Sequence, residues 1–306
     1  IMTTQPLTLV DIQGALPTVQ AIKEIARGGF KIVFQVTIAG KQEALKLVKI
    51  PPSDPAAGGE DFVAENIGRV KREIALISRC QSQEVVKLGS ITATDALLAG
   101  ERYVMYSEEF LPGNNLQELT SERRRTGSPA PDFAELKILT LCLLRAVKEA
   151  WGMKVVHRDI KPLNVMKTGL PARPFVLLDF GIAFAINETN LTASPTQRAP
   201  MGTWRYMAPE MLRPGFRDNI SFRSDLYTTA QTVFEYAVGQ HPLARTADDL
   251  VQTISRIIGQ DAALVEDKRI DLPRPFCDLI NQMMKKSPAL RPGNLDLLIR
   301  QMEAIQ

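Results

Sequence analysis

Two hydrophobic periods divide the chain. Up to about residue 107, apolar and polar residues mostly alternate in short runs, the pattern of half-buried strands. Beyond residue 132, apolar residues recur every three or four positions, the pattern of helices packed on one face. In the first region strands are predicted over Ala21–Ile25 and Ile32–Val36, joined by a turn at Gly28-Gly29, and over Gln42–Ile50. One helix interrupts them, roughly Asp61 to Arg79, with Ile67, Val70, Ile74 and Ile77 on its apolar stripe. Strands Ser90–Leu98 and Arg102–Ser107 follow, joined at Ala99-Gly100-Glu101. Residues 1–18 are of mixed character, with a short strand expected around Leu7 to Val10. In the second region a helix starts after Asp132, where Asp132 and Glu135 form a capping-box pattern. Leu136, Leu139, Leu143, Leu144 and Val147 form its stripe. Phe175–Leu178 reads as a buried strand. Later helices are expected from Ser224 to near Gly239 and over about 247–258, 273–285 and 293–304. Pro51–Gly59, Thr120–Pro131 and 182–201 read as loops, and the Arg123-Arg124-Arg125 run as a solvated face. The expected class is α+β.

Composition narrows the partners. The 306 residues are 45% hydrophobic and 23% charged, ordinary for a globular protein. A formal charge of +3 is too small to point to nucleic acid or a membrane surface. No run of about 18 uncharged apolar residues predicts a membrane span. Cys80, Cys142 and Cys277 are far apart and fall in helical patterns, which predicts buried free thiols in a reducing compartment, hence a cytoplasmic location. Two histidines give a zinc site little to draw on.

Chemistry concentrates at Val155–Met166. Asp159, Lys161 and Asn164 share one loop stiffened by Pro162, five residues from first to last. A plain reading is a polar turn between buried strands. The spacing also suits a carboxylate base, a phosphate-neutralising cation and a metal-binding amide, the three needs of phosphoryl transfer. Asp179 comes twenty residues after Asp159, at the end of an apolar strand and before Phe180-Gly181. A carboxylate there suits a metal held against phosphates. On the Gln42–Ile50 strand, Lys46 shares a face with Ala44, opposite Leu45 and Leu47. It is either an exposed strand lysine or a phosphate ligand, with Lys49 as the rival.

His157-Arg158-Asp159-Ile160-Lys161-Pro162-Leu163-Asn164 resembles the catalytic loop of eukaryotic-type serine/threonine protein kinases. Other segments extend the likeness over residues 21 to 304. Ala44-Leu45-Lys46 is similar to the phosphate-lysine motif, with Glu43 in place of a valine. Arg72-Glu73-Ile74 is similar to the helix carrying that lysine's glutamate partner. Glu108–Leu116 is similar to the segment linking the lobes, and Gly202–Glu210 to the platform seating a protein substrate. The resemblance implies a bilobal fold, with a mainly antiparallel small lobe of residues 21–108 carrying one helix. A link at 109–116 and a mainly helical large lobe of 117–306 follow, with 1–20 as an N-terminal extension.

It further implies ATP and Mg²⁺ as cofactors. ATP would sit against the backbone of Glu109 to Leu111, between Val33 and Ala44 above and Met166 below. Lys46, held by Glu73, would bind its phosphates; Asn164 and Asp179 would hold Mg²⁺. Asp159 would accept the substrate hydroxyl's proton, and Lys161 would neutralise the transferring phosphoryl. Arg291 would pair with Glu210. Ala26 and Gly28 would cover the phosphates in a degenerate Gly-rich flap, with Ala26 and Lys31 where glycines would stand. Glu108 stands at the back of the nucleotide pocket, where apolar residues or Thr are commoner.

The implied partner is a protein carrying Ser or Thr. Arg158 implies phosphorylation within the chain, at Thr189, Thr192, Ser194 or Thr196, although Phe184 stands where a second basic residue is common. Leu163 stands where a glutamate would receive substrate arginines, so no arginine preference is expected. Two rivals remain open. A pseudokinase that binds nucleotide or scaffolds partners is favoured by the flap. A small-molecule kinase is disfavoured by Gly202–Glu210.

Overall fold

The computed structural model describes residues 7–28, 31–52, 59–179, 204–212 and 220–306. The expectations for Gly29, Phe180-Gly181, Phe184, the four hydroxyls at 189–196 and Gly202-Thr203 fall outside them. The described residues form two compact units. The first holds residues up to Cys80 and Val86–Leu111; the second holds Gln81–Val85, Pro112–Asp179 and 204 onward.

The first unit is built on five antiparallel strands: β1 (Val19–Arg27), β2 (Lys31–Ile38), β3 (Lys41–Lys49), β4 (Thr94–Leu98) and β5 (Glu101–Glu109). Their order is β1-β2-β3-β5-β4. Because side chains alternate across a strand, the register sorts them into two faces. Ile32, Phe34, Val36, Leu45, Leu47 and Met105 occupy one face and are buried with Ile12 and Leu16. Each such side chain contributes roughly 1.5–3 kcal/mol on burial. Ile12 and Leu16 come from the N-terminal segment, where the expected strand is instead helix α1 (Leu9–Ala15). The cause is local: Thr8 and Asp11 form a complete capping box, which satisfies the first free amides of a helix. Helix α2 (Gly59–Ser78) buries Val70, Ile74 and Ile77 of the predicted stripe, while Ile67 is half-buried.

The second unit is mainly helical. Asn114–Asn115 (β6), Val165–Lys167 (β7) and Phe175–Leu177 (β8) make a small sheet in that order. Gly113 precedes it at φ 95°, and a Cβ there would run into the Lys167 carbonyl, so only glycine fits. Helix α3 (Leu116–Thr126) replaces much of the loop expected over 120–131. Asn115 and Glu118 box its start, and Gly127 ends it in the left-handed conformation. Helix α4 (Phe133–Gly152) buries the whole predicted stripe from Leu136 to Val147. Asp132 caps it, but Glu135 bonds Lys167 and Tyr236 instead of closing the box. Helix α5 (Phe222–Val238) is buried along nearly all its length and packs on α4. Helices α6 (Leu250–Gly259), α7 (Arg274–Met283) and α8 (Leu295–Ala304) complete the unit.

The Arg123–Arg125 run is not a uniformly solvated face. Arg123 donates to the Tyr236 carbonyl at 2.6 Å, and Arg124 to the Gly239 carbonyl at 2.5 Å. Two cations thus meet the carbonyl end of α5, where helix polarity favours positive charge. Arg124 still keeps 51% of its side chain exposed, and Arg125 stays in solvent at 75%. The three cysteines are buried free thiols, and burial pushes the Cys142 thiol up to about 11. No helix among the described residues is long and apolar enough to cross a membrane.

Candidate active site

In the first unit, strand pairing gathers the predicted nucleotide residues on the sheet face away from α1. Val33 lies opposite Lys46, and Lys46 opposite Tyr106; Ala44 lies opposite Glu108, and Ala26 opposite Val33. Lys46 is 3% exposed and Glu108 1% exposed, and the two form an ion pair. The pairing has a geometric cause. Glu108 sits diagonally across from Lys46 on the same face, within reach of a long side chain. A carboxylate and an ammonium removed from water are tolerable only when paired. This gives Glu108, unusual for its place in the pattern, a partner that sequence reasoning missed. Glu73 is half-buried on α2.

Two other departures from the family pattern have structural reasons. Glu43, in the valine's place, accepts bonds from the Ser107 hydroxyl at 2.5 Å and the Ser90 amide at 2.9 Å. It fastens residues 89–91 to the sheet, and a Cβ on Gly89 would run into it. Glu109 takes the Lys87 amide on its side chain and gives its own N–H to the Lys87 carbonyl at 2.9 Å. That N–H is therefore spent within the fold.

In the second unit the loop between α4 and β7 assembles the remaining candidates. Lys161 donates to both carboxylate oxygens of Asp159, at 2.7 and 2.9 Å. The Asn164 amide nitrogen donates to the Asp159 carbonyl and to Oδ2, both at 2.8 Å. Pro162–Asn164 form a single tight turn that turns Asn164 back toward Asp159. The Asn164 carbonyl takes the Leu178 amide at 2.8 Å, which ties the loop to the residue before Asp179. Arg158 and Asp179 both adopt positive φ, 69° and 55°. Such conformations cost of order 1–3 kcal/mol and persist only when neighbours impose them.

The neighbour that imposes Arg158 is Asp225 on α5. Its carboxylate receives the amides of His157 at 2.7 Å and Arg158 at 2.9 Å. Burial pushes Asp225 up to about 7, against the pull of these two amides. His157 is 1% exposed and bonded to the Leu178 carbonyl at 3.1 Å. Burial lowers it to about 4, more than the nearby Asp159 and Asp179 charges can offset. It is a neutral structural ring rather than a proton carrier.

With its nitrogen committed to Asp159, Asn164 keeps its amide oxygen for a ligand, and Asp179 offers a carboxylate. Two oxygen donors fit Mg²⁺, which takes few protein ligands and completes its shell with water and phosphate. No group of three or more His, Cys, Asp or Glu side chains able to hold a metal occurs among the described residues.

Glu210, at the end of the platform motif, meets Arg291 as expected. The two bonds are 2.7 and 2.9 Å, and Arg291 is 2% exposed. Arg291 also donates to the carbonyls of Lys285, Lys286 and Arg223. Tyr206, in the same segment, donates to Glu235 at 2.7 Å.

Comparison with known proteins identifies the family. The family model described as "Protein kinase domain" matches residues 19–302. The serine/threonine-protein kinase PknH of Mycobacterium tuberculosis is 30% identical over 241 residues, 78% of this chain and 35% of that protein. The probable serine/threonine-protein kinase PknB of Lactococcus lactis is 28% identical over 221 residues, 72% of this chain and 31% of that protein. The chain thus spans about a third of the length of these relatives. Among solved structures, Rad53 residues 1–466 in complex with AMP-PNP matches with a TM-score of 0.68 at 18% identity, over 94% of this chain and 65% of that one. The Mycobacterium tuberculosis PknI kinase domain matches at 0.61 and 18%, over 99% of this chain and 98% of that one. The described units and these matches agree on an α+β, bilobal kinase fold, and the chain belongs to the protein kinase family.

Proposed function

We propose that the chain transfers the γ-phosphoryl group of ATP to serine or threonine hydroxyls of protein substrates. The observation that carries this reading is the Asp159–Lys161–Asn164 cluster, tied by the Leu178 amide to the residue just before Asp179. Relatives named serine/threonine kinases support it.

In this reading Asp159 orients the substrate hydroxyl and accepts its proton as oxygen attacks phosphorus. The bond from phosphorus to the β–γ bridging oxygen breaks, and ADP leaves. Lys161 lies beside Asp159, where positive charge steadies the transferring group. Asn164 and Asp179 would hold Mg²⁺, which supplies charge neutralisation at the phosphates. Lys46 takes the α- and β-phosphates, with Glu73 as its further partner. Ala26, Gly28, Val33 and Ala44 cover one side of the nucleotide and Met166 the other. The Glu109 and Leu111 backbone reads the adenine edge. Thr189, Thr192, Ser194 and Thr196 are candidate sites of self-modification. The buried free thiols support a reducing, cytoplasmic setting.

The test is radiolabel transfer from Mg²⁺-ATP to a generic protein substrate. Asp159→Ala should lower it by at least about 10³-fold. Equal labelling by both proteins would overturn the reading, and ATP binding without transfer by the parent would favour a pseudokinase.

A further inference from the structure

A second concave site lies wholly within the second unit. It is a cavity of about 860 Å³ between the end of α5, the 240–246 turn and α6. Its charged lining is mostly positive: Arg124, Arg205, Arg245, Arg256 and Lys268. Glu235 and Asp261 are the acidic members. Glu235 is engaged by the Tyr206 hydroxyl and lies 3.9 Å from Arg124. Arg256 is paired with Asp248 at 2.8 Å. Arg245 and Lys268 are exposed and form no ion pair among the described residues.

One buried donor on this wall lacks an acceptor. The Arg205 Nε is buried without a hydrogen-bond partner among the described residues. His241 stands beside it with a set tautomer. Its Nδ1 accepts the amides of Leu243 at 3.1 Å and Ala244 at 2.8 Å. Burial, with the Arg205 charge adding to it, lowers this ring to about 3 against a bond to the Arg205 backbone, so it is neutral and its proton sits on Nε2. A donor left buried and unmet is unfavourable, and an acceptor from outside relieves it.

Cations and an unmet guanidinium N–H together call for an anion. The size of the cavity says which kind. A single phosphate would fill little of it, whereas pockets of about 300–1,000 Å³ hold larger ligands. Its position adds a further constraint, because Arg205 adjoins Tyr206 in the segment read as the seat of a protein substrate. We infer that this cavity receives an acidic stretch of the protein substrate, so the kinase selects carboxylate-rich sequences. The inference rests on the kinase reading and adds a substrate class to it. Leu163, 45% exposed, agrees, since no carboxylate stands there to receive arginines.

The test uses two serine peptides identical except that Asp and Glu flanking residues become Asn and Gln. The parent should favour the acidic peptide by about tenfold or more in kcat/KM, the worth of a charge-assisted bond or two. Arg245→Glu and Lys268→Glu, both at exposed positions, should each shrink that ratio severalfold. Fluorescence anisotropy of the acidic peptide with its serine replaced by alanine reads the same site without catalysis. Equal transfer to both peptides would overturn the inference while leaving the kinase reading intact. Binding lost in both variants, with no transfer to any peptide, would support the site and sink the kinase reading. Inorganic phosphate binding more tightly than the peptide would mark a small-anion site and overturn the peptide assignment.

Discussion

Among the described residues, two buried ion pairs look alike by burial and differ in their geometry. Arg291–Glu210, in the second unit, is a fork-to-fork contact with two parallel bonds. The guanidinium spends its other donors on three backbone carbonyls, and the Ser224 hydroxyl caps Glu210 at 2.7 Å. Lys46–Glu108, in the first unit, joins a point charge on a flexible stem to a carboxylate across a sheet face. Planar bidentate pairs fix geometry; an ammonium can change partners at little geometric cost. The first pair therefore reads as architecture, and the second as a charge held ready for exchange with phosphate.

That contrast can be broken by experiment. The largest expected effect is on Arg291→Ala. Removing one partner of a buried pair leaves the other charge uncompensated, at roughly 3–5 kcal/mol. Urea unfolding should show this, and a loss under about 1 kcal/mol would end the architectural reading. Lys46→Met should instead cost transfer, about 10²-fold or more, with a smaller loss in the same unfolding measurement. Met keeps the packing of the lysine stem, whereas Arg291→Ala also takes a donor from three backbone carbonyls. Loss of stability as great as for Arg291→Ala would make the two pairs equivalent.

Glu108→Gln sharpens the comparison further. If Lys46 leaves Glu108 for phosphate, a neutral amide removes the competition, and the KM for ATP should fall about fivefold, worth about 1 kcal/mol. Steady-state kinetics would register a rise instead if Glu108 positions the lysine. The smallest effect concerns pH. His157 and His241 are lowered from 6.5 to about 4 and about 3, so each is neutral in the fold. Their contribution is full above about 6.5 and lost as pH falls through it, because the unfolded rings take up protons first. Asp225, raised to about 7, runs the other way, losing its contribution as pH climbs from about 4 through 7. Tm should therefore drop between pH 7 and 5 in the parent. In His241→Gln it should drop less, by about 4 °C; an identical drop would remove His241 from the account.

Legibility in sequence followed the range of the forces. The α4 stripe and the Asp159–Asn164 loop were readable because their neighbours lie within a few residues. The Glu210–Arg291 pair spans 81 residues and was reached only through family resemblance. Helix α1 is legible locally, since Thr8 and Asp11 stand three apart, although the mixed segment around Leu7–Val10 reads as a short strand. Arg123 and Arg124 misled for the opposite reason. Their partners are carbonyls more than a hundred residues away, and a carbonyl has no signature in sequence. Glu108 drew notice as out of place, and only strand register shows Lys46 within its reach.

Asp225 carries a consequence for dissecting the protein. The left-handed turn at Arg158 is held from α5, 67 residues downstream. Any fragment ending before residue 222 would contain every letter of the catalytic loop and none of its shape. Conversely, a binder that tugs on the first turn of that helix would silence phosphoryl transfer from the rear, without approaching nucleotide or substrate.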